Sequence, residues 1–158
     1  MADDKQEAQN EVLQCVTFDL NGETYALDVM RVQEVLRVGE ISPVPGAPEY
    51  VLGIINLRGK VVTVIDARLR LGLSYAENTD LSRIIVLEAA GQDVGILVDG
   101  VAEVVQIRRG DIDPSPSVGN EEAARYIEGV ASRDKELVIV IDVDKLLNEE
   151  EWAELAAM

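Results

Sequence analysis

Gly53-Ile54-Ile55-Asn56-Leu57-Arg58-Gly59-Lys60-Val61-Val62-Thr63-Val64-Ile65-Asp66 is the stretch that decides the fold. An apolar run meets a polar corner, Asn56 to Gly59, and a second apolar run rich in β-branched residues leaves it. β-branched side chains fit a pleated, half-buried surface, so the stretch reads as strand, turn, strand. Gly59 supplies the φ > 0 that a tight corner needs. The corner holds Arg58 at a bend between two buried strands. An arginine there is either a solvated turn residue or a fixed recognition group, and the pattern alone favours the solvated residue.

The composition of the rest of the chain agrees with sheet. Its 158 residues suffice for one domain or two small lobes. A chain of this size buries roughly two-thirds of its extended surface and needs no staples. Hydrophobic residues make up 47% and aromatic residues only 4%, so the core must be mostly Val, Ile and Leu. The net charge of −16, from 30 acidic and 14 basic residues, repels phosphate backbones and anionic lipid heads. Neither nucleic acid nor direct membrane binding is expected, and a neutral or basic protein partner is. The N-terminus lacks the basic and apolar regions of a signal peptide, and no apolar run reaches membrane-spanning length. The expected compartment is the cytoplasm.

The chain has no histidine, which removes the commonest general base and zinc ligand and every Ser/His or Cys/His arrangement. It contains no phosphate-binding glycine loop of either common type. Cys15 is the single cysteine; set in an apolar run, it reads as a small core hydrophobe. Asp142 and Asp144 read as a solvated strand end or helix-start carboxylates before they read as a catalytic dyad. Asp111 and Asp113 lack the Gly and the final Glu of a calcium loop. The expectation is therefore no catalytic residue, no metal and no cofactor.

Along the chain, residues 1–11 are polar and acidic and read as a disordered tail. Strands are expected over Val12–Leu20 and Glu23–Leu27, joined by the hairpin signal Asn21-Gly22. Asp28–Val38 fits either a helical face or a bent strand. Pro43, Pro45 and Pro48 make residues 42–48 a loop. Strands resume at Val51–Ile55 and Val61–Ile65, followed by a short helical turn after Ala67 that Gly72 ends. Arg83–Glu88, Val94–Asp99, Val101–Ile107 and Leu137–Val143 are further strand candidates, with a Pro-broken loop over 113–117. Asn148 and Glu151 have the spacing of reciprocal helix caps, and Trp152 and Leu155 then share the apolar side of a terminal helix.

The chain also repeats itself. Tyr50-x-x-Gly53 is followed by Asp66, and Tyr126-x-x-Gly129 by Asp142 at the same interval, each in Val-Ile-Asp. Val32-x-Glu34-Val35 is echoed by Val101-x-Glu103-Val104. So long a period, with about five strands per copy, indicates two related β lobes from one duplicated unit. The second copy replaces the Asn56–Gly59 corner with Ser132-Arg133-Asp134-Lys135, which moves Arg58 toward a functional reading.

Together, Gly53 to Gly59, Val-Ile-Asp66, Val29 to Val35 and Gly95 to Val101 resemble the CheW family of bacterial chemotaxis coupling proteins, over residues 13–148. The resemblance implies an all-β fold of two similar five-stranded β-barrel lobes packed side by side, with a short C-terminal helix. The expected organisation is a single domain over 12–148, lobes about 12–74 and 82–148, and a helix over 149–158. It implies no enzymatic activity. It implies as partners the regulatory domain of the histidine kinase CheA and the cytoplasmic helical hairpin of chemoreceptors, reached at the membrane-associated array only through them. Carried over by position, the receptor-contact residues are Arg58 and Gly53, with Ile84, Ile85 and Val86 lining a groove whose first apolar position is Arg83 here. The CheA-contact residues are Val32 and Glu34. A free-standing small-molecule-binding β-barrel and a carboxylate-based hydrolase are the alternatives from other classes.

Overall fold

The computed structural model describes residues 10–114 and 124–157. Most of the expected disordered tail lies outside the described residues. Glu11 does not: its carbonyl accepts the Arg109 N–H at 2.9 Å and extends the pairing of the first strand. The elements are β1 (Val12–Leu20), β2 (Glu23–Asp28), β3 (Val32–Arg37), β4 (Val51–Leu57), β5 (Lys60–Asp66), α1 (Ala67–Arg70), β6 (Arg83–Ala89), β7 (Gln92–Val98), β8 (Gly100–Arg108), β9 (Ile112–Asp113), β10 (Ile127–Arg133), β11 (Glu136–Ile141) and α2 (Glu149–Ala157). The ambiguous stretch after β2 is a 3-10 turn, Val29–Arg31, capped by the Asp28 side chain, and then the strand β3.

Two sheets form two lobes. The six-strand lobe runs β8-β1-β2-β11-β10-β9, and the five-strand lobe runs β3-β6-β7-β5-β4. The chain thus divides differently from the expected boundary near residues 74–82. The N-terminal hairpin β1–β2 joins the C-terminal strands through the parallel pair β2–β11, and the middle of the chain, β3 to β7, makes the other lobe. The two orders match strand for strand, with β8 answering β3, β1–β2 answering β6–β7, and β11 and β10 answering β5 and β4. The duplication is real, but its second unit is completed by the beginning of the chain. The crossings fall at the 3-10 turn after Asp28 and at Asp99.

Each lobe is closed by the chain segment that follows its first strand. β8 turns through the 3-10 turn Arg109–Asp111 into β9, which pairs with β10. In the five-strand lobe the segment after β3 returns to β4, where Ser42 and Ile54 exchange two backbone hydrogen bonds of 2.9 and 2.8 Å. The repeated glycines stand at these closures. A Cβ on Gly53 would lie 2.2 Å from the Ser42 carbonyl oxygen, and one on Gly129 would lie 2.5 Å from that of Asp113. Both glycines follow a bulge in the register with the next strand. The other repeat markers have the same origin: the Asp66 N–H donates to the Tyr50 carbonyl at 2.8 Å, and the Asp142 N–H to that of Tyr126 at 3.0 Å.

The central strands β6, β7 and β11 are buried on both faces, which explains their unbroken apolar runs. On β6, Ile84 and Val86 fill the five-strand lobe, while Ile85 and Leu87 enter a core shared by both sheets. On β11, Val138 and Val140 fill the six-strand lobe, while Ile139 and Ile141 enter the shared core. Cys15 lies inside the six-strand lobe at 1% exposure, as a core residue; burial, with Asp28 and Glu128 nearby, pushes its thiol up to about 11. Trp152 and Leu155 of α2 pack into the shared core. Asn148 and Glu151 cap each other as read: the Glu151 N–H reaches Asn148 Oδ1 at 2.8 Å, and the Asn148 N–H reaches Glu151 Oε1 at 2.9 Å. Among the described residues no helix is long and apolar enough to cross a membrane.

Candidate functional site

The β4–β5 hairpin turns through Arg58 at φ 51° and Gly59 at φ 83°, with the Gly59 N–H donating to Asn56 Oδ1 at 2.8 Å. Arginine in this left-handed conformation is disfavoured, and the asparagine bond holds the corner. The Arg58 side chain stands out at 73% exposure. Its guanidinium is engaged by Glu34. Nη1 donates to Glu34 Oε1 at 3.1 Å and Nη2 to Glu34 Oε2 at 2.6 Å, a fork-to-fork pair. These bonds raise the already basic Arg58 and, as the main cause, hold the Glu34 carboxyl below the usual carboxylate range.

The residues assigned to two different partners, Arg58 and Glu34, therefore form one unit. Sequence reasoning missed the contact because it crosses from the β4–β5 corner to β3, strands that do not pair along their length. The corner itself is repeated: Asp134 and Lys135 have φ 50° and 70°. The backbone shape thus does not require Arg58. The other lobe also pairs an arginine with its echoed glutamate, Arg133 Nη1 with Glu103 Oε1, but at 3.6 Å and more loosely.

Alternation with Gln33 would put Val32 and Glu34 on one side of β3, but a register shift falls between them: Val32 stands opposite Leu87, on the side of the shared core, and Glu34 opposite Val86, on the other side. Val32 is half-buried and packs on the shared core; the outward residue of β3 is Val35, at 41% exposure. The rim beside this strand is polar. Gln33 Nε2 donates to Glu88 and Asp93, and Lys60 Nζ pairs with Asp93 at 2.7 Å. Arg31 bonds the Glu88 carbonyl and Asp144, bracing the 3-10 turn against both lobes.

The groove reading of β6 is corrected. Ile84, Ile85 and Val86 are 1%, 0% and 0% exposed, with β3 on one side and β7 on the other, and offer no surface to a partner. A central strand facing two cores has no free face. Arg83 at its start folds back onto its own loop, donating to the carbonyls of Asp80 and Ser82 at 2.8 Å each. Gly53 is also buried, and the closure against Ser42 accounts for it.

Asp142 and Asp144 have structural partners. Asp142 caps the 3-10 turn Val143–Lys145, and Asp144 takes Arg31. Asp66 caps α1 by accepting the Arg68 and Leu69 N–H groups; burial outweighs those bonds and raises its carboxyl. The lobe interiors are filled with aliphatic side chains, and a cavity in the shared core beside Phe18 and Leu71 holds only about 10 Å³.

The fold is thus two related β lobes with an ion-paired arginine displayed at one hairpin corner. The family model for the CheW-like domain matches residues 14–151, and the chain belongs to that family. The chain is 35% identical to the chemotaxis protein CheW of Klebsiella aerogenes over 86% of this chain and 82% of that one. It is also 35% identical to that of Treponema pallidum, over 93% and 89%. The solved structure of the scaffolding protein TtCheW from Thermoanaerobacter tengcongensis superposes with a TM-score of 0.81 at 38% identity, over 89% of this chain and 97% of that one. The chain is a chemotaxis coupling protein of the adaptor class.

Proposed function

We propose that this protein joins the regulatory domain of the histidine kinase CheA to the cytoplasmic helical hairpin of chemoreceptors, in the cytoplasm and without chemistry of its own. The observation that carries this reading is the Arg58–Glu34 pair. It presents a planar donor on an exposed corner, already oriented, so little side-chain freedom is lost when it meets carbonyl or carboxylate acceptors on a helical tip. The receptor side centres on Arg58, with Gly53 shaping the strand behind it. The kinase side centres on β3, where Val32, Glu34 and the outward Val35 set apolar groups beside a charged rim. Glu34 borders both. The use of Asp66, Asp142 and Asp144 as caps and ion-pair partners supports the non-catalytic reading over a carboxylate hydrolase. The filled lobes support it over a small-molecule barrel. Titrating the purified protein against the CheA regulatory domain and a receptor hairpin fragment tests the reading directly. Binding to each is expected, with both bound together; failure to bind either one overturns it.

A further inference from the structure

Arg70 belongs to neither face described above, yet it touches both lobes and the C-terminal segment. It stands at the end of α1 in the five-strand lobe, and its guanidinium lies 4.5 Å from the ring centre of Tyr50 and 4.7 Å from that of Tyr126. These tyrosines are the first markers of the two repeat units, one from each lobe. Nε donates to the Leu146 carbonyl at 2.8 Å, Nη1 to Glu151 Oε2 at 2.7 Å and Nη2 to Glu151 Oε1 at 2.6 Å. The Glu151 Oε1 atom also accepts the Asn148 N–H, so the carboxylate that caps α2 is the one that Arg70 grips. The two side chains are only 10% and 18% exposed.

A surface ion pair is weak, but this one is largely out of water, doubly bonded and set between two aromatic faces. Breaking it leaves a partly buried charge without its partner, which costs far more than the pair's net worth. A nine-residue helix is too short to hold together in water by itself. Its docking therefore depends on Trp152, Leu155 and this clasp.

We infer that Arg70 is a positioning residue of the adaptor: by holding Tyr50, Tyr126 and Glu151 on one guanidinium it keeps α2 docked across the seam and fixes the two lobes against each other there. This rests on the adaptor reading only in its consequence, that receptor control of the kinase needs a fixed seam. The lobes' own closures lie elsewhere, so loosening the seam leaves each lobe folded.

The test uses the full chain with Arg70→Lys, which keeps the charge but not the flat fork, and Glu151→Gln, which keeps a capping oxygen but not the charge. Amide hydrogen exchange, without partners, is expected to accelerate about tenfold or more across 149–157 in both variants, and to stay at parental rates at Val62, Val64, Val138 and Val140. In a reconstituted mixture of CheA and receptor, Arg70→Lys is expected to bind each partner with affinity within about twofold of the parent while losing most of the receptor's control over kinase activity. Unchanged exchange in α2 overturns the clasp. Faster exchange with full kinase control retained overturns the positioning role. Equal losses of both affinities and of melting temperature make Arg70 a residue of general stability, against the inference. If the parent itself binds neither partner, the adaptor reading fails, while the exchange data still decide the clasp.

Discussion

Replacing Gly53 by alanine should open the five-strand lobe. The new Cβ would sit 2.2 Å from the Ser42 carbonyl oxygen, 2.7 Å from its carbon and 3.0 Å from the Ile41 methyl. Backbone cannot yield as the end of a flexible side chain can, so the segment carrying Ser42 must move away. That movement breaks the 2.9 and 2.8 Å bonds between Ser42 and Ile54, the link that closes the sheet. Two backbone bonds at about 1 kcal/mol each, with the displaced packing of Ile41 and Leu52, give a loss of about 2 to 4 kcal/mol. For a chain of this length that lowers the melting temperature by about 5 to 15 °C. Calorimetry and urea titration would read it. Gly39→Ala is the control, since a Cβ there meets nothing within 4 Å. Gly129→Ala, 2.5 Å from the Asp113 carbonyl, should behave like Gly53→Ala. If Gly53→Ala melts with Gly39→Ala, the closure argument is wrong and Gly53 has to be explained by a partner.

Other outcomes follow from the same geometry. Arg58→Ala should weaken receptor binding by about thirtyfold and shift the melting temperature by less than about 2 °C. Because Glu34 orients the arginine, Glu34→Ala should weaken the same binding, and the double variant should lose much less than the product of the two; a multiplicative loss would mean that the residues act separately. Val32→Asp should lower both CheA binding and the melting temperature, since Val32 packs on the shared core, whereas Val35→Asp should lower CheA binding alone. Equal melting curves for Val32→Asp and the parent would contradict that packing. Burial works against the charged Glu151, but the Arg70 bonds and the Asn148 N–H prevail and hold its carboxyl below the usual range. A carboxyl whose folded value is depressed contributes stability above its unfolded value, about 4.3, and loses that contribution as pH falls through the folded value. The stability gap between the parent and Glu151→Gln should thus be full at pH 7 and shrink below about pH 4; a constant gap would remove the ionised clasp from the account.

What could be read from the residues depended on how local the cause was. The hairpin at Asn21-Gly22, the corner at Arg58-Gly59 and the reciprocal caps at Asn148 and Glu151 act within a few positions, and the structure reproduces them. The repeat was legible because Tyr, Gly and Asp recur wherever a closing segment crosses a strand. The interleaving of the lobes was not, because the pair β2–β11 joins Thr24–Ala26 to Val138–Val140 from opposite ends of the chain, with no local mark. An unbroken apolar run such as Ile84 to Leu87 tells of burial but not of how many faces are buried, so it could not test the groove position that the family resemblance implied for this strand. Arg70 had no signal in the sequence, because the two repeated tyrosines that flank its guanidinium come from distant segments that only the fold brings together.

The central claim is that one molecule holds kinase and receptor at once. An adaptor that does so replaces a chance encounter with an effective concentration on the order of millimolar. The decisive measurement is CheA kinase activity in a reconstituted mixture with receptor, comparing the parent, Arg58→Ala, Val35→Asp, and an equal mixture of the two variants. Receptor-controlled activity is expected with the parent alone, because in the mixture no single molecule can bridge. Full control in the mixture, or in the absence of the protein, would contradict the account.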